Sequence, residues 1–89
     1  LGRSAEFCNQ LAGCYMELGE FENAKNLLDE VVGIAGGNMK QVLMKNRIVA
    51  YEKLGKYKKA KQYAEEYLNM YEDSEMLAEY EFIRTRYRK

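Results

Sequence analysis

Few side chains in this sequence have the types and spacing that enzymatic or metal chemistry needs. Histidine is absent from the 89 residues, so the commonest general base and the usual activator of a serine or cysteine nucleophile are missing. Cys8 and Cys14 lie six residues apart on one expected helix, which aims them in different directions and prevents a local disulfide. We therefore expect no enzymatic activity, no cofactor and no metal, and we expect both thiols to be reduced and packed.

Carboxylates are the remaining candidates for chemistry, but their positions are typical of a solvated surface. Glu65 and Glu66 are adjacent, and Glu17 lies three residues before Glu20. All four fall at exposed positions of expected helices, where charged side chains are ordinarily hydrated. A paired-carboxylate active site is the alternative, and we favour the solvated surface.

The elements that would position these side chains are two copies of one unit. Residues 18–25 read LGEFENAK, and residues 54–61, which lie 36 residues later, read LGKYKKAK. A tyrosine stands four residues before each glycine, at Tyr15 and Tyr51. A period of about 20 to 50 residues is typical of a solenoid array, in which each unit must stack on a neighbour to bury its apolar face.

The repeated pattern resembles the tetratricopeptide repeat. In the first unit, the family's leucine, small, tyrosine, glycine, alanine and large positions are occupied by Leu11, Ala12, Tyr15, Gly19, Ala24 and Leu28. The second unit matches less fully, with Tyr51, Gly55, Tyr57 and Ala60 in place and with Arg47 and Ile48 as departures. The resemblance covers roughly residues 5 to 74. It implies an all-α fold of antiparallel helix-turn-helix hairpins stacked as a short right-handed α-solenoid.

Apolar spacing and the turn glycines predict five helices in a single domain, residues 1–89. Their expected bounds are about Ser4–Leu18, Phe21–Ile34, Met39–Leu54, Tyr57–Met70 and Ser74 to the end. The glycine-rich segment 33–38 is expected to be a loop in which Asn38 caps the third helix and Gln41 bonds back. Because the chain starts at Leu1 without an initiator methionine, a fragment of a longer protein is one interpretation.

The two repeats are expected at about residues 5–38 and 41–74, and the last helix, at about residues 74–89, is expected to cap them. Two repeats are few for a stable array, so this helix must cover the face that the second repeat leaves open. Its covering stripe is expected to be Met76, Leu77, Tyr80, Ile83 and Tyr87. A truncated third repeat is the alternative.

The resemblance implies a non-catalytic protein–protein interaction module whose ligand lies on the concave surface of the first helix of each hairpin. On that surface we expect a peptide or partner segment to contact Asn9, Gly13, Met16, Val42, Lys45, Asn46, Val49 and Lys53. An asparagine can donate to and accept from an extended peptide backbone, and lysines can meet acidic side chains or a terminal carboxylate. For Asn46 the alternative is a bond to the neighbouring hairpin that stabilises the stack, and both interpretations stay open.

Uneven charge supports two further interpretations. The formal net charge is zero, yet residues 1–36 hold two basic and six acidic side chains, and residues 37–89 hold twelve and eight. Opposed ends, or aromatic side chains on the last helix, could join copies into a homo-oligomer. Basic side chains interleaved with Tyr87 could bind nucleic acid, namely Arg84, Arg86, Arg88 and Lys89, although solvated charge explains them better. No apolar run long enough to span a membrane is present, and we take the cytoplasm as the default location.

Overall fold

The computed structural model describes residues 4–87, and within that range the chain forms five α-helices and no strand. Their bounds are Ala5–Glu17 (α1), Phe21–Val32 (α2), Gly37–Lys53 (α3), Tyr57–Met70 (α4) and Ser74–Arg86 (α5). Consecutive helices pack against each other along the chain, and α1 also contacts α3. The expected all-α stack of helical hairpins is confirmed, and the expected helix bounds are met to within two or three residues wherever the chain is described.

The turn inside each hairpin depends on glycine. Gly19 and Gly55 have φ angles of +79° and +76°, a left-handed conformation that costs glycine little and other residues about 1–2 kcal/mol. The residue after each glycine donates its N–H to the carbonyl of the tyrosine four residues before the glycine, which closes the helix as a Schellman motif. The two bonds are Glu20 to Tyr15 at 2.8 Å and Lys56 to Tyr51 at 2.9 Å. The prediction that Gly19 and Gly55 form the turns is confirmed.

The junction between the hairpins differs from the sequence expectation. Helix α3 begins at Gly37, not at Met39, and Gly36 occupies the N-cap position without a side-chain hydrogen bond. Gly37 has a φ of +59°, a left-handed conformation that glycine adopts at little cost where the loop meets the helix. The Gln41 amide donates to the Tyr67 hydroxyl at 2.9 Å instead of bonding back to a cap. The predicted cap at Asn38 was therefore wrong.

Small side chains let the helices of each hairpin approach closely. Ala24 and Ala60, at equivalent places in α2 and α4, are both fully buried, so the facing helix can pack large side chains against them. Cys8 lies in this core, but Cys14 is exposed, because six residues place the two thiols about 120° apart around α1. The expectation that both thiols are packed was correct for Cys8 and wrong for Cys14.

Helix α5 packs on α4 through one side. Met76 and Ile83 are buried, and Tyr80 is half-buried with its hydroxyl donating to Glu65 at 2.9 Å. Leu77, which was expected in the same stripe, is 52% exposed. It lies about 100° around the helix from Met76, at the edge of the contact with α4.

Candidate functional site

A cleft separates α3 from α5 and has a volume of about 360 Å³. One wall is α3, the first helix of the second hairpin, and the other wall is α5, the helix that follows this hairpin. The residues lining it are Lys45, Asn46, Val49, Glu52 and Lys53 from α3, with Glu75, Met76 and Glu79 from α5. Four of the eight residues expected to bind a partner therefore meet on one wall.

The position of α5, and so the width of the cleft, depends on Asp73. Its Oδ1 accepts from the Met76 backbone N–H at 3.1 Å and so caps α5. Its Oδ2 accepts from the Tyr67 hydroxyl at 2.6 Å and lies 3.5 Å from Lys45 Nζ. The Tyr67 hydroxyl and the Met76 N–H, as donors, lower the pKa of the Asp73 carboxyl. One carboxylate thus joins α3, α4 and α5.

The Tyr67 side chain has no exposed surface, and its hydroxyl has a partner on either side. It accepts from Gln41 of α3 and donates to Asp73. Burial, followed by the bond to Asp73, raises the pKa of the Tyr67 phenol. The hydroxyl therefore stays protonated and acts as a fixed donor to Asp73.

Asn46 links the two hairpins. Its Nδ2 donates to Asn9 Oδ1 at 2.6 Å, a bond between α3 and α1 across 37 residues of sequence. Asn9 and Asn46, which were both expected to bind a partner, therefore lie in contact with each other. Their hydrogen bond is the one that the alternative interpretation of Asn46, stabilisation of the stack, requires. Asn46 also lines the cleft, and its bond to Asn9 uses the Nδ2 and not the Oδ1.

The other expected residues lie away from the cleft. Gly13 is exposed and Met16 is half-buried on α1, and Val42 is 39% exposed on α3. None of them lines the cleft between α3 and α5. Because α1 contacts α3, the face that carries these residues continues from the cleft across α3 toward the first hairpin.

Three carboxylates in the cleft were not found from the sequence. Glu52 of α3 faces Glu79 of α5, and desolvation together with the neighbouring Glu79 carboxyl raises the pKa of Glu52 to about 7. Lys53 and Arg86 act against this shift. Glu75 and Glu79, four residues apart, share one face of α5. That spacing is visible in the sequence. The direction of this face, however, depends on the orientation of α5 about its own axis where it packs on α4.

Several basic side chains of the second half are engaged with other residues. Lys61 pairs with Glu65 at 2.9 Å, and Arg84 pairs with Glu81 at 2.7 Å. The Arg86 guanidinium lies 4.6 Å from the centre of the Phe82 ring. Arg88 and Lys89, which were part of the nucleic-acid interpretation, lie outside the described residues. Pairing reduces the positive charge that phosphates would meet.

Neither a metal centre nor a membrane span is visible in residues 4–87. No three cysteine or carboxylate side chains there are grouped closely enough to hold a metal ion. No helix in the same range combines the length and apolar character needed to cross a bilayer.

Comparison with known proteins gives one match. A family model described as Tetratricopeptide repeat matches residues 5–38 and 49–74. These two segments cover the first hairpin, and the second hairpin from the middle of α3 to the start of α5. Neither the curated proteins nor the solved structures give a significant match to the chain.

Proposed function

Since the chain belongs to the tetratricopeptide repeat family, whose repeats mediate protein–protein interactions and are typically not catalytic, we propose that it binds a peptide or partner segment in the cleft between α3 and α5. The cleft itself is the observation that carries this proposal. Its wall includes Lys45, Asn46, Val49 and Lys53. The same face, extended across α3 to α1, adds Asn9, Gly13, Met16 and Val42 as flanking contacts.

The cleft favours a ligand that combines one apolar anchor with charges of both signs. Val49 and Met76 supply apolar surface between the two helices. Lys53 is exposed and forms no ion pair with another described residue, so it is available to a carboxylate of the ligand. Glu75 and Glu79 line the opposite wall and suit a basic side chain. An extended segment can meet both walls at once, because its alternate side chains point in opposite directions.

Lys53 is the best residue with which to test this site. Lys45 and Asn46 also line the cleft, but they hold Asp73 and Asn9, so their replacement would mix binding with stability. Lys53→Glu reverses a charge that forms no salt bridge in the described chain, and the lowering of the Glu52 pKa by Lys53 is shared with Arg86. Lys58→Glu makes the same change at an exposed position of α4, outside the cleft, and is the matched control.

The experiment begins with a phage-displayed random peptide library selected on the wild-type protein. Enriched peptides are synthesised, and their affinities for the wild type and both variants are measured by fluorescence anisotropy. We expect Lys53→Glu to weaken binding of acidic peptides about tenfold, equivalent to about 1.4 kcal/mol, and Lys58→Glu to leave it unchanged. Equal affinities for all three proteins would remove the cleft from consideration. Equal losses in both variants would indicate unspecific charge attraction.

A recess at the corner of α4 and α5 supports self-association as a second candidate function. It has a volume of about 340 Å³, and Leu68, Tyr71 and Leu77 give it apolar walls. Exposed apolar surface of this kind is a common feature of contacts between copies. If copies join here, Leu77→Lys lowers the concentration-dependent mass in light scattering, whereas Ala78→Lys on the exposed side of α5 does not. A wild-type mass that is monomeric at every concentration would refute this candidate.

A further inference from the structure

Helices α1 and α3 carry equivalent pairs of side chains, but the pair on α1 is exposed whereas the pair on α3 is buried. Each pair consists of two residues seven positions apart, which lie on one side of a helix. The pairs are Phe7 and Cys14 on α1 and, 36 residues later, Leu43 and Ala50 on α3. Leu43 and Ala50 are fully buried, whereas Phe7 is 53% exposed and Cys14 is exposed as well.

The first hairpin covers the pair on α3. Leu43 and Ala50 lie on the arc of α3 between Asn46 and Tyr51. Asn46 bonds to α1, and the Tyr51 hydroxyl donates to Asp29 of α2 at 2.6 Å. The side of α3 that carries Leu43 and Ala50 therefore faces α1 and α2, whereas Arg47, at the edge of the same arc, stacks on Tyr63 of α4 at 3.6 Å. Helix α3 thus buries this side against the hairpin that precedes it.

Helix α1 repeats this arc with the repeat offset of 36 residues, except that Leu11 stands where α3 has Arg47. Phe7, Gln10, Cys14, Tyr15 and Leu18 correspond to Leu43, Asn46, Ala50, Tyr51 and Leu54. The backbone is the same at its end, since Leu18 and Leu54 have φ and ψ of −80°, −4° and −82°, −3°. In the described chain Phe7, Cys14 and Leu18 of the α1 arc are nevertheless exposed, and Tyr15 is half-buried.

The polar side chains of the α1 arc are also without the bonds that their counterparts make. Gln10 is exposed and Tyr15 is half-buried. Neither side chain forms a hydrogen bond with another residue in the range 4–87, although Asn46 and Tyr51 both do. Leu18 is 71% exposed, whereas Leu54 is half-buried. On this side of α1, the apolar side chains therefore lack the contacts, and the polar side chains lack the hydrogen bonds, that their counterparts on α3 have.

We propose that this side of α1 is a docking site for a further helical hairpin, held ahead of α1 as the first hairpin is held ahead of α3. The second helix of the occupant lies along Phe7, Cys14 and Leu18 with a stripe of aliphatic and small side chains, as α2 lies against α3. A carboxylate on that helix accepts from the Tyr15 hydroxyl, as Asp29 accepts from Tyr51.

A second copy of the folded chain does not fit this description. The helices of the required type, α2 and α4, already bury their apolar sides, with Ala24, Leu28, Ala60 and Tyr67 all fully covered. A symmetric contact between two α1 helices would bring like charges together, because α1 contains two glutamates and no basic residue. The occupant is therefore a hairpin whose own second helix is still uncovered.

The chain supplies a probe for this site. Residues 1–36 contain α1, α2 and the following loop, and their fusion ahead of the complete chain reproduces the repeat offset of 36 residues. Cys8→Ala and Cys14→Ala in the added copy alone leave the original Cys14 as the exposed thiol. Its rate of reaction with Ellman's reagent reports whether the added hairpin covers it.

We expect the fusion to slow the reaction of the original Cys14 at least about tenfold relative to the 89-residue chain. The fusion should also unfold in urea as one transition with a larger m-value, because more surface is exposed on unfolding. Phe7→Glu in the original copy should restore the fast reaction, whereas Phe82→Glu, an exposed position on α5, should not.

Two results would overturn the proposal. An unprotected Cys14 in the fusion would mean that the α1 arc does not bind a hairpin of this type. Slower reaction of Cys14 in the unfused chain as its concentration rises would mean that a second copy occupies the site.

Discussion

Replacing Gly55 with alanine tests the physical account of the two turns. Gly55 has a φ of +76°, and a Cβ added there would meet no atom within 4 Å. Packing therefore does not change, and the cost is conformational. A left-handed backbone costs alanine about 1–2 kcal/mol, and the smaller entropy of the unfolded chain offsets about 0.4–1 kcal/mol of this. The net loss of stability should be about 1 kcal/mol, which for a domain of this size lowers Tm by about 4–8 °C.

The same chemical change at Gly13 provides the control, with the opposite sign expected. Gly13 lies inside α1, and a Cβ there would also meet no atom within 4 Å. Alanine in a helix interior is favoured over glycine by about 0.5–1 kcal/mol. Urea unfolding followed by far-UV circular dichroism should show Gly55→Ala less stable and Gly13→Ala more stable than the wild type. Shifts of the same sign in both variants would refute the reasoning.

Three other replacements test contacts among α3, α4 and α5. Tyr67→Phe removes the buried hydroxyl at the base of α5 and should cost about 1–2 kcal/mol in urea unfolding; an unchanged midpoint would contradict the role given to it. In the folded chain the pKa of Glu52 is raised from 4.5 to about 7, so the folded state binds more protons between these values, and stability falls as pH rises through that range. Glu79→Gln should flatten this dependence, and a slope equal to that of the wild type would exclude the carboxyl pair as its cause. The Arg47 guanidinium lies 3.6 Å from the centre of the Tyr63 ring, so Arg47→Lys should lose about 0.5–1 kcal/mol of stability, and full retention would show that the stacking contributes nothing.

The hairpins were predictable because local features determine them. A glycine after the last apolar residue of each helix, with a tyrosine four residues before it, is sufficient to locate both turns. The apolar spacing on either side then gives α1, α2 and α4 to within two residues at either end. These features act within one hairpin, so they can be read without knowledge of the whole fold.

The cleft could not be predicted to the same extent, because it depends on contacts between distant residues. The orientation of α5 follows from the bonds of Asp73 to Tyr67 and Lys45, which bring together residues 6 and 28 positions apart. Nothing in the local pattern of α5 shows that Glu75 and Glu79 point toward α3. The start of α3 was misjudged because glycine has a low helix propensity and the Gly36–Gly37 pair gave no sign of a helix. Gln41 was expected to bond back to a cap, but its partner Tyr67 lies 26 residues away.

The two turns also show how the charge of this array can change while its shape does not. Glu20 and Lys56 hold the same place after the turn glycine, with φ and ψ of −89°, 68° and −88°, 68°. One backbone therefore accepts either sign of charge, and neither side chain caps the helix that follows. Evolution can alter the electrostatic field of such an array one turn at a time, without compensating changes in the core. The imbalance between an acidic first half and a basic second half is a property that selection can tune independently of folding.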